Sequence, residues 1–422
     1  MISRIFLTLS VLSGILGHIQ KKRGGMVIVR QQRVVIVGAG IVGLSTAYAL
    51  LSQGNRQVTV LEQEVVDHRR ATSHGASRLL RFEYGDDDFY SEMVRLSLKR
   101  WKALEQRGKR RIYTRTGVLV LGRMDDGYTR PAYRIVRALG LQSEQLSRQQ
   151  CRLLFPQFAT ENYDLMTYNQ EAGILHASTC LQTLKALIIE LGGTICEGCR
   201  VNRIVRDDRS RPVRLLSQSG EELAAERVVL ATGPWVHKLL RDLHLPVRLT
   251  RQYLLYFSGL PYSLFGVGAF PAFISSDLYG FPMHSTDNKG PYWLKAASHS
   301  FGSPIDPDEI APPEEQVIAR VARKLRVLLP APQQAELAQV DSCMYDVTPD
   351  EDFILDRLPD DPRIVFATGL SGHGFKFGPL LGELLSSMLC ETQPAVSLER
   401  FQLARFAQRQ VQHAIAGISS VA

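Results

Sequence analysis

The sequence predicts an α/β fold in which a discontinuous, Rossmann-type domain that binds a dinucleotide is combined with an α+β domain built on a mostly antiparallel sheet. Two observations predict it. Patterns of strand, glycine-rich turn and helix recur near the start, the middle and the end of the chain, and the stretches between them contain strand-like runs. The length of 422 residues, of which 45% are apolar, allows two buried cores.

The first of these patterns is a strand, a turn and a helix in direct succession. Residues 33–37 (RVVIV) form a continuous β-branched run that is typical of a buried strand, and GAGIVG follows directly and opens a helical pattern. Gly38 permits a tight turn, Gly40 lets a pyrophosphate approach the backbone, and Gly43 lets the helix pack closely on the strand. The amides at the start of the helix then face the phosphates.

A second strand and an acidic residue complete this unit. Residues 58–61 (VTVL) are typical of a strand, and Glu62 follows them, nineteen positions after Gly43. A carboxylate at this place can accept hydrogen bonds from both hydroxyls of a ribose. The combination predicts a dinucleotide site, although it does not distinguish NAD from FAD.

Two later segments favour a flavin. After a helical pattern that ends at Leu-Gly-Gly, strand-like runs occur at 200–205, 213–216 and 227–231. Near the C-terminus, a strand at 364–367 leads through the turn TGLSGHG into an apolar helix at 375–389. Such a turn offers backbone amides and the positive end of a helix to the pyrimidine edge of a flavin, which becomes anionic on reduction. FAD is therefore the expected cofactor.

These segments divide the chain into two predicted domains. The FAD-binding domain comprises residues 30–89, 150–240 and 340–410, and the substrate domain comprises residues 90–149 and 241–339. Strand-like runs at 253–257 and 292–297 in the substrate domain predict a sheet that covers the flavin.

Charge and cysteine content exclude several classes of protein. The formal net charge is +8, but the basic residues are dispersed and no nucleic-acid-reading motif accompanies them, so no nucleic-acid partner is predicted. The excess of positive charge also suits an anionic cofactor and a carboxylate substrate. The irregular spacing of the six cysteines indicates reduced thiols in a cytoplasmic protein. Cys196 and Cys199 have CxxC spacing, but no second pair or histidine cluster completes a metal site, and no metal is predicted.

The first residues, 1–29, are predicted to be a leader or an overextended N-terminus. An apolar stretch at 5–19 precedes a basic Lys-Lys-Arg run. The stretch is short for a membrane span, has no small-x-small cleavage site and follows no twin arginine. No stable membrane insertion is expected.

Three longer motifs are more specific than the glycine turn. They are SHGASRLLR at 73–81, CMY at 343–345 with TPDEDF at 348–353, and SGHGFK at 371–376. With these motifs the chain, from about residue 33 to 406, resembles the monomeric sarcosine oxidase family, which includes N-methyltryptophan oxidase and peroxisomal pipecolate oxidase. The resemblance implies a monomeric FAD-dependent oxidase that transfers a hydride equivalent from a secondary amino acid to flavin N5. Dioxygen then takes up the electrons, and the products are an imine and hydrogen peroxide.

The resemblance also implies roles for individual residues. Cys343 of the CMY motif is expected to bond through sulfur to the flavin 8α-methyl group. Arg81 and Lys376 match the pair that binds the substrate carboxylate, and a forked guanidinium with an ammonium suits that task. Lys295 matches the lysine that assists dioxygen reduction by stabilising a superoxide-like anion, and His299 follows it in the same segment. Three further residues match positions that line the flavin or the substrate cavity: His74, Arg78 and Tyr345.

The complete set of residues predicted to bind the cofactor is Gly38, Gly40, Ile41, Val42, Gly43, Glu62, Gln63, Ser73, His74, Ser77, Arg78, Val201, Thr232, Trp235, Cys343, Met344, Gly372, Gly374, Phe375 and Lys376. The residues predicted to act on the substrate or on dioxygen are Arg81, Lys295, Lys376, His74, Tyr345 and His299.

The sequence departs from the bacterial sarcosine oxidases of this family in the segment around Arg81. Those enzymes typically have HHGDTR where this chain has SHGASR at 73–78, and a histidine where it has Phe82. Because these differences resemble the pipecolate-oxidising branch, N-methyl amino acids such as sarcosine and cyclic imino acids such as pipecolate both stay open as substrates. Two other functions also stay open: a quinone-linked amino acid dehydrogenase anchored by residues 5–19, and a non-catalytic flavin-binding subunit.

Overall fold

The computed structural model of the chain describes residues 32–55, 57–285, 291–330 and 335–407, together with the backbone of 19–22 and 25–28. The strands are β1 Ile19–Lys22, β2 Gly25–Ile28, β3 Val34–Val37, β4 Val58–Leu61, β5 Arg78–Leu80, β6 Tyr113–Thr114, β7 Val118–Gly122, β8 Ser143–Leu146, β9 Leu165–Asn169, β10 Gly173–Leu175, β11 Thr194–Cys196, β12 Val201–Val205, β13 Val213–Ser217, β14 Glu222–Ala225, β15 Arg227–Leu230, β16 Arg248–Ser258, β17 Ala272–Ser275, β18 Leu278–His284, β19 Trp293–Ser298, β20 Glu336–Val347, β21 Ile354–Leu358 and β22 Asp361–Thr368.

The α-helices are α1 Ile41–Ser52, α2 Asp88–Gly108, α3 Thr129–Ala138, α4 Arg148–Leu154, α5 Ala177–Glu190, α6 Val236–Leu239, α7 Tyr262–Phe265, α8 Glu315–Leu328 and α9 Gly378–Cys390. Short 3-10 helices cover Gly233–Trp235, Arg241–Leu243, Phe375–Phe377 and Glu399–Phe401.

A six-stranded sheet combines the start, the middle and the end of the chain. Its order is β11-β4-β3-β15-β22-β21, and every neighbouring pair is parallel except β21 with β22. All four residues of β3 are buried, because both faces of the sheet are covered. Val34 and Ile36 share a core with helices α1, α5 and α9, and Val35 and Val37 share one with the three-stranded sheet β12-β13-β14. α1 packs against α9, where a Cβ on Gly382 would lie 2.4 Å from the backbone carbon of Ser45. This sheet confirms the predicted Rossmann-type α/β domain.

An eight-stranded sheet forms the second layer. Its order is β20-β16-β19-β18-β17-β7-β9-β8, and all pairs are antiparallel except β17 with β7. The predicted strand runs at 253–257 and 292–297 correspond to β16 and β19, which pair with each other. The mostly antiparallel sheet of the predicted fold class is therefore confirmed.

Individual elements refine the predicted domain ranges. β9, which lies in the range 150–240 predicted to bind FAD, pairs with β7 and β8 in the eight-stranded sheet. α2 begins at Asp88, and Met93 and Trp101 on its buried face join the same core as α1 and α9. The division into two domains stays a prediction, with these memberships added to it.

The predicted leader lies mostly outside the described residues. Of the range 1–29, the structure describes only the backbone of β1 and β2, which pair as antiparallel strands. Almost all of the apolar stretch at 5–19 is outside the described part of the chain. No helix in the described part is both long and apolar enough to cross a membrane.

Candidate active site

Two contiguous cavities lie between the sheets. The first cavity has a volume of about 510 Å³ and is lined by the glycine turn after β3 together with residues that follow β4, β11 and β15. The second cavity has a volume of about 350 Å³ and is lined by β18, β19 and β20 and by the segments around Arg81 and Lys376. Arg78, Tyr345 and Phe375 are among the residues that line both cavities, so a ligand that fills the first can reach the second.

Backbone geometry shapes the first cavity at the glycine turn. Gly38 has φ +101°, and a Cβ there would lie 2.4 Å from the carbonyl oxygen of Ala231. A Cβ on Gly43 would lie 1.9 Å from the carbonyl oxygen of Gly38, so this glycine serves packing and does not line the cavity. Both positions therefore exclude a side chain, as the motif predicts.

Glu62 holds the turn as well as lining the cavity. Its Oε2 accepts a hydrogen bond from the amide of Ala39 at 2.8 Å, and its Oε1 accepts one from the amide of Glu64 at 3.1 Å. The hydroxyl of Ser73 accepts one from the amide of Ile41 at 3.0 Å. Each carboxylate oxygen keeps a second lone pair, so the predicted contact with a ribose stays compatible with this arrangement.

Most residues predicted to bind the cofactor line the first cavity. They are Gly38, Gly40, Ile41, Val42, Glu62, Gln63, Ser73, Arg78, Val201, Thr232, Trp235, Gly372, Gly374 and Phe375. Ser77, Cys343 and Lys376 line the second cavity instead, and Gly43, His74 and Met344 line neither.

The first cavity fits FAD by its size and its polar groups. The hydroxyl oxygen of Thr232 is buried at the cavity wall and has no hydrogen-bond partner in the structure, so a bound polar group can supply one. Asp308 is part of the cavity wall near the end of β15. It accepts hydrogen bonds from Trp235 Nε1 and from Arg200, both at 2.9 Å. Arg200 and Asp308 were not predicted, because Asp308 lies in a loop that carries no motif.

The C-terminal turn lies where the two cavities meet, and Gly372 lines both. Gly372 has φ +76°, and a Cβ there would lie 2.3 Å from the ring of Tyr345. The amide of Gly369 donates to Asp346 at 2.7 Å, and burial raises the pKa of that carboxyl. The glycine therefore lets the turn lie directly on β20, beside the residues shared by both cavities.

Five basic side chains line the second cavity: Arg78, Arg81, Lys295, Lys376 and Arg400. Arg400 forms salt bridges with Asp87 and Asp352. In the part of the chain that the structure describes, the other four donate hydrogen bonds only to phenol and backbone carbonyl oxygens and form no salt bridge. Buried cations without a counter-ion are costly, which makes the cavity receptive to an anion.

Arg81 and Lys376 meet at one tyrosine. The guanidinium of Arg81 lies 4.5 Å from the ring centroid of Tyr84 and donates to the hydroxyl of Tyr128 at 2.8 Å. Lys376 Nζ donates to the hydroxyl of Tyr84 at 2.8 Å and to the carbonyl of His373 at 2.9 Å. Burial, together with the charge of Arg81, holds the pKa of Lys376 well below its usual value.

Lys295 lies on the opposite wall, on β19. Its side chain is 1% exposed, and Nζ donates to the carbonyl of Ser77 at 2.8 Å and lies 4.8 Å from the ring centroid of Phe281. Burial and the nearby charge of Arg78 hold the pKa of Lys295 well below its usual value.

Cys343, Tyr345 and His299 line the same cavity. Burial raises the pKa of the Cys343 thiol, against the opposing effect of Arg78 and Lys295. The hydroxyl of Tyr345 is 3.3 Å from that of Tyr279, whose ring centroid is 5.2 Å from that of His299.

His74 is the predicted catalytic residue that the structure does not bring into the site. Its Nδ1 lies 2.9 Å from Asp67 Oδ1, and this hydrogen bond raises the pKa of the imidazole. Its carbonyl oxygen accepts a hydrogen bond from Arg78 at 2.5 Å. The catalytic role of His74 stays a prediction, and the contacts favour a role in holding Arg78.

The sequence interpretation missed several residues of the second cavity, namely Tyr84, Tyr128, Tyr279 and His373. His373 stands inside the SGHGFK motif and Tyr84 follows Arg81 closely, so proximity to the motifs was the available signal. Tyr128 and Tyr279 come from helix and strand segments without motifs and are placed only by the fold. Among the residues described, no group of three or more His, Cys, Asp or Glu side chains could hold a metal.

The comparisons with known proteins agree with this site. A family model described as FAD dependent oxidoreductase matches residues 33–388. Peroxisomal sarcosine oxidase of Mus musculus is 31% identical over 391 residues, which cover 90% of this chain and 97% of that protein. N-methyl-L-tryptophan oxidase of Salmonella arizonae is 30% identical over 385 residues, which cover 89% of this chain and 99% of that protein.

Two solved structures share the fold. L-proline dehydrogenase from P. horikoshii aligns with a TM-score of 0.77 at 18% identity and covers 90% of this chain and 98% of its own. NikD, described as an unusual amino acid oxidase, aligns with a TM-score of 0.74 at 24% identity and covers 88% of this chain and 97% of its own. Together with the family match, these findings show that the chain belongs to the FAD dependent oxidoreductase family, and within it to the group of sarcosine oxidases and N-methyltryptophan oxidases.

Proposed function

We propose that this protein is an FAD-dependent oxidase of secondary amino acids, either N-methyl amino acids such as sarcosine or cyclic imino acids such as pipecolate. One observation carries the proposal: a cavity with aromatic walls adjoins the cavity that fits FAD and shares part of its lining. Among the residues described, four of the basic side chains in this cavity form no salt bridge. The names of the relatives, a sarcosine oxidase and an N-methyl-L-tryptophan oxidase, support the same chemistry.

Arg81 and Lys376 are proposed to bind the substrate carboxylate. Both have hydrogen-bond donors that the described residues do not use, since Arg81 donates to Tyr128 and Lys376 to two neutral oxygens. A carboxylate held by these two residues would fix the amine-bearing carbon against the residues shared with the first cavity. Holding the reacting atoms in position in this way contributes a large part of the rate acceleration of a bimolecular step.

FAD, when bound, supplies the acceptor of two electrons and passes them to dioxygen. The aromatic walls made by Tyr279, Phe281 and Phe375 would limit the access of water to the reacting carbon. Lys295 is proposed to stabilise the anion that forms when dioxygen is reduced. Among the residues described, its ammonium contacts a backbone carbonyl and the rings of Phe281 and Tyr256, and no carboxylate neutralises it.

Cys343 is proposed as the point of covalent attachment of the flavin. The residue lies on β20 in the wall of the second cavity, beside the residues that both cavities share. Burial raises the pKa of the Cys343 thiol, and the charges of Arg78 and Lys295 oppose that shift. They act in favour of the thiolate, which is the form that reacts with an electrophilic carbon. A monomeric enzyme in the cytoplasm belongs to the same proposal, and the six free cysteines suit a reducing compartment.

The proposal is tested by measuring oxygen uptake and hydrogen peroxide with purified holoenzyme. Sarcosine, other N-methyl amino acids and pipecolate are compared with glycine and lysine, which are the matched primary amines. We expect peroxide in proportion to oxygen consumed with at least one secondary amine and far less with the primary amines. Reduction of an artificial dye without peroxide would instead indicate a dehydrogenase, and absence of flavin bleaching by any substrate under anaerobic conditions would indicate a non-catalytic flavoprotein.

A further inference from the structure

We propose that Tyr84 and His373 are positioning residues that orient the ammonium of Lys376 so that one N–H points into the second cavity for the substrate carboxylate. This inference rests on the proposed function, in which Lys376 binds that carboxylate. It assigns a role to two side chains that do not have to touch the carboxylate themselves.

The contacts form a chain of four groups. Lys376 Nζ is 2.8 Å from the hydroxyl of Tyr84, which is 3.1 Å from His373 Nδ1. His373 Nε2 is 3.1 Å from the carbonyl oxygen of Glu351. Lys376 Nζ also donates to the carbonyl oxygen of His373 at 2.9 Å, so the histidine contacts both ends of the chain.

The direction of each hydrogen bond follows from the outermost acceptor. Because the carbonyl of Glu351 can only accept, His373 Nε2 must carry the proton. Burial and the charge of Lys376 hold the pKa of His373 well below its usual value, so the ring is neutral and Nδ1 is a bare acceptor. The hydroxyl of Tyr84 therefore donates to His373, and its oxygen accepts from Lys376.

This directed chain leaves one donor of Lys376 unused. An ammonium has three N–H groups, and the protein occupies two of them, at Tyr84 and at the carbonyl of His373. No described residue accepts from the third, which leaves it for a ligand, and Lys376 lines the second cavity. The backbone beneath it is also fixed, because Trp101 Nε1 donates to the carbonyl oxygen of Lys376 at 2.7 Å.

The groups that face Lys376 explain why an oriented acceptor matters. The charge of Arg81 acts on Lys376 and lowers its pKa, and the rings of Tyr84 and Phe377 lie 5.2 and 5.1 Å from Nζ. From α2, Tyr90 stacks on Tyr84 at 5.1 Å without reaching the lysine in any hydrogen bond. With a repelling cation and no carboxylate partner, the ammonium depends on neutral oxygens, and removing one of them lowers the pKa of Lys376 further.

The test measures binding of propionate, a carboxylate without an amine, to the oxidised holoenzyme by titration calorimetry between pH 6 and pH 10. In Tyr84→Phe we expect roughly tenfold weaker binding at neutral pH, because a hydrogen bond to a charged group is lost. Affinity depends on the charged lysine, so it declines as the pH rises through the pKa of Lys376. In the variant this decline should begin at lower pH.

The matched control is Tyr113→Phe, which also removes a phenol hydroxyl; this one donates to the backbone carbonyl of Glu171 at 2.6 Å, and Tyr113 lines neither cavity. It should bind propionate as the unaltered enzyme does. His373→Leu should weaken binding as Tyr84→Phe does, whereas His373→Asn keeps an acceptor near Nδ1 and should restore most of the affinity. Equal affinity in His373→Leu and His373→Asn would contradict the proposed chain.

A double-mutant cycle separates this inference from the function on which it rests. If Tyr84 acts through Lys376, the effect of Tyr84→Phe should fall below about twofold in the Lys376→Met background. Additive effects, or unchanged binding in Tyr84→Phe alone, would overturn the positioning role and leave the carboxylate site intact. Unchanged binding in Lys376→Met would instead refute the proposed carboxylate site itself.

Discussion

The two cavities recognise their ligands by different means. The first is built mainly from backbone: a glycine at φ +101°, a turn that Glu62 and Ser73 hold in place through two of its amides, and the start of α1. The second is built from side chains, with Arg81, Lys295 and Lys376 bonded to neutral oxygens. Backbone recognition needs few residue types at fixed spacing, whereas side-chain recognition needs several distant segments to converge.

The difference also has an energetic side. The fold already fixes the position of the amides at the start of a helix, so binding a phosphate there requires little further ordering of the backbone. Buried ammonium groups lose their hydration, and the lowered pKa values of Lys295 and Lys376 reflect that loss. The first cavity should therefore tolerate changes of its side chains better than the second, and substitutions in each can break or sharpen this contrast.

The largest effect is expected for Cys343→Ser, because covalent attachment of the flavin is all or none. The yellow colour of the unaltered protein should remain with the polypeptide after acid precipitation, and that of the variant should appear in the supernatant. Cys199→Ser, a change at the wall of the first cavity, is the control and should retain attached flavin. Flavin that stays attached in Cys343→Ser would disprove the assignment.

The next largest effect is expected for Lys295→Met. Loss of the cation should slow reoxidation of the reduced enzyme by dioxygen roughly a hundredfold to a thousandfold, while reduction by substrate changes little. Since the pKa of Lys295 is lowered, the advantage of the unaltered enzyme should shrink as the pH rises through that pKa. Stopped-flow absorbance of the flavin measures both half-reactions separately.

Lys324→Met is the matched control for this change. Lys324 forms a surface ion pair with Asp277 at 3.0 Å, outside both cavities, and its loss should leave reoxidation unaltered. A Lys295→Met enzyme that reacts with dioxygen at the original rate would show that the second cavity does not use this cation.

The contrast also explains what could be predicted from the sequence. β3, the glycine turn and α1 follow one another in the chain, so local pattern was sufficient, and the sheet confirms it. The sequence did not predict β14, because its apolar and polar residues do not alternate clearly and its first two residues are exposed. Tyr128 and Tyr279 were missed because their place beside Arg81 and Tyr345 depends on how α3 and β18 pack.

The resemblance to a known family predicted roles of residues that the local sequence pattern could not predict. The roles of Lys295 and Cys343 came from matching motifs, and the structure places both in the wall of one cavity, although their function is a proposal. His74 shows the limit of that approach, because its imidazole bonds to Asp67 and lines neither cavity. A matched position therefore predicts the neighbourhood of a side chain better than the direction in which it points.

The smallest effect is expected for a pair of glycine substitutions that separates backbone strain from contact with the cofactor. Gly38 and Gly54 have φ +101° and +94°, so alanine is strained at both, by roughly 1 kcal/mol. A Cβ on Gly38 would lie 2.4 Å from a backbone oxygen, whereas one on Gly54 would meet nothing within 4 Å. In the Cys343→Ser background, where FAD can dissociate, Gly38→Ala should weaken FAD binding about tenfold. Gly54→Ala should lower the unfolding temperature slightly and leave FAD affinity unchanged. Equal affinities in both variants, measured by fluorescence titration, would mean that the turn does not shape the first cavity.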